Sequence, residues 1–229
     1  MTLRRRSGSM TSAQMRRVDQ WTIQRLKIPV LLLMDNAGRC VAEAAHHLLK
    51  KSGGRNVIVV CGGGNNGGDG IAAARYLKGW DFGVNVFWLK NPAHLDGDAA
   101  QHYQIAKRCG VSFFPFRRVA PRRRVPVLRE ADLLIDAILG TGTEGHLRVP
   151  AYDAIAAMNA ARRPIVAVDL PSGLDPDTGR VPDIAIKARV TVTLAAPKIG
   201  LMLKRSKPYV GTLHVADIGV PHRILTTTY

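Results

Sequence analysis

Two asparagines and an aspartate stand inside one glycine-rich turn, Cys61-Gly-Gly-Gly-Asn65-Asn66-Gly67-Gly68-Asp69-Gly70. An apolar run, Val57–Cys61, precedes the turn, and an Ala-rich run, Ile71–Leu77, follows it. That order reads as a buried strand leading through the turn into a helix. Glycine permits backbone angles that Cβ forbids and lets a ligand approach the main chain. Free N–H groups above a helix N-terminus favour negative charge, so a phosphate is the expected guest. Two more carboxylates close apolar runs: Asp136 after Asp132-Leu-Leu-Ile, and Asp169 after Pro164-Ile-Val-Ala-Val, with Ser172 just beyond. In an open parallel sheet such strand ends share one rim, and ligands bind there in the crevice where strand order reverses. The chemistry on offer is anion binding by main chain, hard-cation binding by the oxygens of Asn66, Asp136 and Ser172, and proton transfer by a carboxylate in a partly dry site. With one clear carboxylate, the oxygen set is thin for a tightly held divalent ion.

Commoner patterns fit poorly. Gly62, Gly64 and Gly67 formally match G-x-G-x-x-G, but the ordinary dinucleotide fingerprint also wants an acidic residue about 20 positions on. Lys90 and Asn91 follow the expected second strand, Val84–Leu89, so ordinary NAD binding is not expected. The triphosphatase P-loop fails because Gly67 is followed by Gly68 and not by lysine. A tight turn with a helix N-cap needs one Asn or Asp, not three. A strand-terminal Asp can also be a plain acceptor for the next loop. Cys40, Cys61 and Cys109 lie far apart, with no metal-ligand spacing. Cys40 and Cys61 read as small core residues, which suits a reducing cytosol, and no transition metal is expected.

Around these motifs the chain reads as an α/β protein, a three-layer Rossmann-like fold with a mostly parallel central sheet. Helices are predicted over Ser12–Leu26, Leu31–Lys51, Ile71–Gly79, Gly97–Gly110 and Pro150–Ala161. The remaining strands are predicted at Val111–Phe116, Arg189–Leu194 and Gly211–Asp217. Arg117–Val127 reads as a basic, proline-bearing connector without regular structure. Within the second helix, Asn36 is expected to bond to neighbouring loops or to stand near the site rim. Residues 1–10 read as a flexible basic arm and residues 11–229 as a single domain, since 229 residues suffice for one substantial core. No apolar run is long enough to span a bilayer. The net charge is +16, clustered at Arg4–Arg6, Arg16–Arg17, Arg117–Arg118 and Arg122–Arg124. Without interleaved aromatics these clusters read as surface character that attracts a polyphosphate ligand, and nucleic acid is not the expected partner.

Gly62-Gly-Gly-Asn-Asn-Gly-Gly-Asp-Gly70 resembles the motif of the NAD(P)H-hydrate epimerases, the YjeF N-terminal-domain family, with Gly63 where that family usually has proline. Thr11-Ser-Ala-Gln-Met15, Met34-Asp-Asn-Ala-Gly38, Asp136-Ala-Ile-Leu-Gly-Thr-Gly142, Asp169-Leu-Pro-Ser-Gly-Leu-Asp175 and Ala196-Pro-Lys198 resemble further family segments in the family order. Asp35 stands where Glu is usual, and Ala195-Ala196 where a Gly-containing pair is commoner. The resemblance implies interconversion of the R and S epimers of hydrated NADH or NADPH. It implies a potassium ion on Asn66, Asp136 and Ser172. It implies substrate contacts from Asn65, Asn66, Gly67, Gly68 and Asp69, from Gly140, Thr141, Gly142, Thr143, Glu144, Gly145 and His146, and from Asp169. Asp169 is the first choice for proton transfer. Lys198 supplies positive charge beside the phosphates, tunes Asp169, or stands solvated. A homodimer in the cytoplasm is also implied, with the ATP- or ADP-dependent dehydratase step on a separate protein or on a segment beyond this one. The rival reading is a non-catalytic scaffold of the same fold that associates with nucleotide or RNA; a scaffold has no need of a cation and acid set.

Overall fold

The computed structural model describes residues 8–90, 95, 97–142 and 145–226. Among the described residues seven strands form one sheet in the order β3-β2-β1-β4-β5-β6-β7. They are β1 Asn56–Cys61, β2 Gly83–Trp88, β3 Ser112–Pro115, β4 Leu133–Ala137, β5 Ile165–Val168, β6 Val190–Leu194 and β7 Thr212–Ala216. Every pairing is parallel, so the sheet is wholly rather than mostly parallel. β1, β4 and β5 are buried on both faces, which explains their unbroken apolar runs. Strand order reverses between β1 and β4, and the crevice for a ligand opens above that point.

Among the described residues six helices of nine residues or more flank the sheet: α1 Ser12–Gln24, α2 Val30–Ser52, α3 Asn65–Gly79, α4 Gly97–Arg108, α5 Pro121–Arg129 and α6 Ala151–Ala161. Apolar side chains of α1, α2 and α3 join one face of the sheet in a core that includes Met15, Val41, Ile71, Val59 and Ile135. Leu128 of α5 and Ile155 and Met158 of α6 pack with Val60 and Leu134 on the other. This is the three-layer arrangement expected from sequence.

Three expectations need correction. The second is the connector: Arg117–Val127 is partly helical, because Pro121 occupies the first turn of α5, where its missing N–H costs nothing. Arg124 of that helix bonds to Asp153 of α6 at 2.7 Å. The third is the N-terminal arm. Residues 1–7 lie outside the described residues, but Met10 pairs with the Lys198 segment through Met10 N–H to Pro197 O at 2.9 Å and Ile199 N–H to Met10 O at 3.0 Å. The first correction matters most to the site: α3 begins at Asn65, six residues before Ile71, so Asn65–Gly70 form its opening turns. Glycine is a poor helix former, but close packing demands it here. A Cβ on Gly67 would meet Gly62 O at 2.3 Å, and one on Gly70 would meet Ala137 Cβ at 2.3 Å.

α2 lies equally close to α3. A Cβ on Gly38 would meet Ala72 Cβ at 2.4 Å and the Ala73 backbone nitrogen at 2.8 Å. Backbone cannot yield as a flexible side chain does. Gly38→Val is therefore expected to destabilise the fold by about 1–3 kcal/mol, measured as a lowered midpoint in urea; an unchanged midpoint would mean that the two helices can separate freely.

Candidate functional site

Gly64 is the N-cap of α3 and makes no side-chain capping bond. The first N–H groups of the helix therefore have no partner from a cap, at a point where Gly64, Asn65 and Asn66 line the crevice, which suits an anion. The capping alternative for Asn65, Asn66 and Asp69 does not apply, because all three lie inside the helix. Close contact also shapes the turn below: a Cβ on Gly62 would meet Ile138 O at 2.0 Å.

Asp136, at the end of β4, is fully buried. It accepts from Ser172 N–H at 2.8 Å, from Ser172 Oγ at 2.6 Å and from Ile138 N–H at 3.2 Å. Burial raises its carboxyl to about 6, and the Ser172 bonds oppose that rise. The reading of a strand-terminal Asp as loop acceptor thus holds for Asp136. Ser172 Oγ also accepts from Leu139 N–H at 2.9 Å. Asn66 Nδ2 donates to Leu139 O at 3.0 Å, while Asn66 Oδ1 is buried with no hydrogen-bond partner. The loops after β1, β4 and β5 are thereby knitted together beneath one cleft.

Asp169 ends β5 with φ of 67°, left-handed backbone that non-glycine residues adopt rarely. Strain of this kind is retained where the surrounding structure imposes it, often at functional sites. Its Oδ1 accepts from Leu194 N–H at 3.1 Å and from the Lys198 ammonium. Lys198 is 2% exposed, which removes the solvated reading. Its other donors reach Leu194 O at 3.1 Å and Thr193 Oγ1 at 3.3 Å. Lys198 is thus a partner of Asp169.

The cleft holds about 550 Å³, within the usual range for small-molecule sites. Asn65, Asn66, Asp69, Gly140, Thr141, Gly142, Asp169 and Lys198 line it. Gly67 and Gly68 sit buried within α3, Gly68 against Met34. Thr143 and Glu144 lie outside the described residues. Gly145 lines a smaller neighbouring hollow, and the exposed His146 ring turns to Asp183 Oδ1 at 2.8 Å, which raises its pKa. Asn36 is held by Ile218 O at 2.9 Å, and Asp35 by Arg75 and Tyr76, so these two are structural.

Sequence reading missed the wall of the cleft given by α1 and α2. Met15, Arg16, Asp19 and Ile23 come from α1, and Leu33, Met34 and Ala37 from α2. A signal existed: Asp19 lies four residues from both Met15 and Ile23, an acid set into an apolar stripe. Asp19 still meets water through the open cleft, but burial by the surrounding protein raises it to about 6; Lys198 opposes the rise and Asp169 adds to it. Burial likewise pushes Asp69 well above the usual carboxylate range, Asp169 adding and Lys198 opposing. Among the described residues no cluster of three His, Cys, Asp or Glu has metal-binding form, and no helix is long and apolar enough to cross a membrane.

The family model of the YjeF-related protein N-terminus matches residues 30–200. The NAD(P)H-hydrate epimerase of Limosilactobacillus fermentum is 38% identical, the match covering 91% of this chain and 96% of that protein. The bifunctional NAD(P)H-hydrate repair enzyme Nnr of Moorella thermoacetica is also 38% identical, over 96% of this chain but only 42% of its own length. The chain thus spans about two fifths of the bifunctional relative and nearly all of the shorter one. The crystal structure of yeast ynu0 superposes with a TM-score of 0.73 at 25% identity, covering 84% of this chain and 82% of that one.

Proposed function

The chain belongs to the YjeF-related N-terminal family, and from that premise we propose that it is an NAD(P)H-hydrate epimerase, an isomerase that interconverts the R and S epimers of hydrated NADH and NADPH. The observation that carries the proposal is the meeting, in one cleft, of an uncapped helix N-terminus and the Lys198–Asp169 pair. The N–H groups of Asn65–Gly67 and the Gly140–Gly142 turn hold the pyrophosphate. The Asp169 carboxylate, oriented by Lys198, exchanges a proton with the hydroxyl on the nicotinamide ring. The ring nitrogen expels the hydroxyl as water, leaving a planar iminium, and water adds to its other face. Water lost equals water gained, and no oxidant or reductant is needed. The homodimer, the cytoplasmic setting and a dehydratase partner remain part of this proposal.

The proposal includes a potassium ion on Asn66, Asp136 and Ser172, of which Asn66 lines the cleft. Asn66, whose buried Oδ1 has no partner, is joined through Leu139 to the Asp136–Ser172 pair, and a hard cation takes such oxygen ligands. Bound there, the ion would supply a fixed positive charge beneath the anion site. Asp136 also sets a pH test. Its raised pKa means that it stabilises the ion-free fold fully below its ordinary value near 3.8 and loses that contribution as pH rises through about 6. A bound cation favours the ionised form. Potassium chloride, compared with choline chloride at equal ionic strength, is therefore expected to raise the melting temperature more at pH 7.5 than at pH 5; an equal or absent increment at the two pH values argues against the site.

Activity is tested by incubating the protein with a single hydrate epimer and following the R/S ratio by chromatography. The wild type is expected to drive the ratio to equilibrium. Asp169→Asn is expected to keep ligand binding while the rate falls by roughly 10²–10⁴-fold. A turnover unchanged by this substitution removes Asp169 from the mechanism.

A further inference from the structure

Inversion at one ring carbon makes a demand that Asp169 alone does not meet. The departing hydroxyl needs a proton on one face of the ring, and the incoming water must lose one on the other. Two proton carriers on separate walls of the cleft satisfy that demand directly. Resting on the epimerase reading, we propose that Asp19 is the second proton-transfer residue, serving one face of the nicotinamide ring while Asp169 serves the other.

Asp19 is a cleft residue on a rigid mount. It lies in the third turn of α1, whose Met15 and Val18 are buried in the core. A capping box of Thr11 and Gln14 fixes the start of that helix, and Ser12 N–H bonds to Asp177 Oδ1 at 2.7 Å. Met10, the residue before the Thr11 cap, is bonded through both its N–H and its C=O to the segment that carries Lys198. α1 is therefore stapled to the element that orients Asp169, and the two carboxyls keep a fixed relation. Groups held this way on helices suit catalysis better than groups on free loops.

The charge balance points the same way. Asp19, Asp69, Asp169, Lys198 and Arg16 all line the cleft, three carboxyls to one ammonium and one guanidinium. Lys198 has three N–H donors, and they go to Asp169, Thr193 and Leu194; none goes to Asp19. Asp19 is open to water on the cleft side and crowded by protein on the other; without a lysine bond it holds a proton more readily than an ordinary carboxyl, and it is raised to about 6. A substrate seated in the cleft would remove more water and strengthen that preference.

The step balances as follows. The Asp19 carboxyl gives its proton to the hydroxyl, the C–O bond breaks, and the ring nitrogen lone pair forms the C=N bond of the iminium. Water attacks the opposite face, a new C–O bond forms, and the Asp169 carboxylate takes the released proton. The opposite epimer uses the same two groups in reversed roles, and solvent resets them between turnovers.

The test compares Asp19→Asn and Asp19→Glu with wild type, with NADP⁺ binding followed by calorimetry and hydrate epimerisation by chromatography. Asp19→Asn is expected to bind NADP⁺ within about twofold of wild type while kcat falls by roughly 10²-fold or more. Asp19→Glu, which keeps a carboxyl on the same helix, is expected to recover at least a tenth of the wild-type rate. A structural role would lower binding with rate and would not be rescued by Glu. An Asp19→Asn protein that epimerises within threefold of an active wild type overturns the proposal for Asp19 alone. A wild type that leaves the epimer ratio unchanged overturns the epimerase reading, and this proposal with it.

Discussion

The cleft depends on a carboxylate that water never reaches. Asp136 lies at the end of a central strand and is fully buried. An isolated charge there would be costly, so the surrounding chain bends to supply donors. Ser172 comes from the loop after β5 to give two of them, and Ile138 gives the third. Ser172 then holds Leu139, and Leu139 holds Asn66 of α3. One hydrogen-bonded chain thus fixes the segments after β1, β4 and β5, and with them the positions of the α3 N-terminus, the Asn66, Asp136 and Ser172 oxygens, and Asp169. Removing any link would leave buried polar groups short of partners, which is why the network acts as a unit.

In the cleft three carboxyls face one ammonium and the Arg16 guanidinium. A single lysine, buried and satisfied, orients one aspartate, while Asp19 and Asp69 are pushed toward their neutral forms by burial. Groups whose environments separate their proton affinities are what acid–base chemistry at one carbon requires. The left-handed backbone at Asp169 belongs to the same design: it turns the carboxyl off the strand end and toward Lys198.

Much of this was legible in the residues. Strands buried on both faces announce themselves as apolar runs, and Asp136 and Asp169 stood out as acids closing such runs. Their convergence followed from parallel topology alone. What sequence obscured has physical causes. The start of α3 was hidden because Asn-Asn-Gly-Gly has little helix propensity; contact with Gly62 and Ala137, not propensity, sets that helix. α5 was hidden by Pro126 and its arginines, although Pro121 marked its first turn. Burial of Lys198 could not be read because its partners lie in other segments of the chain. Asp19 carries no motif of its own; only its spacing of four residues from both Met15 and Ile23 points it toward the cleft.

The most direct test of the central claim is a crystal structure of the protein with NADP⁺ and potassium. The expected result is one continuous ligand, its pyrophosphate over the N-terminus of α3 and its nicotinamide between Asp19 and Asp169, with the cation beneath at Asn66 and Asp136. A ligand seated elsewhere on the molecule, or a nicotinamide ring facing away from both carboxyls, would contradict it.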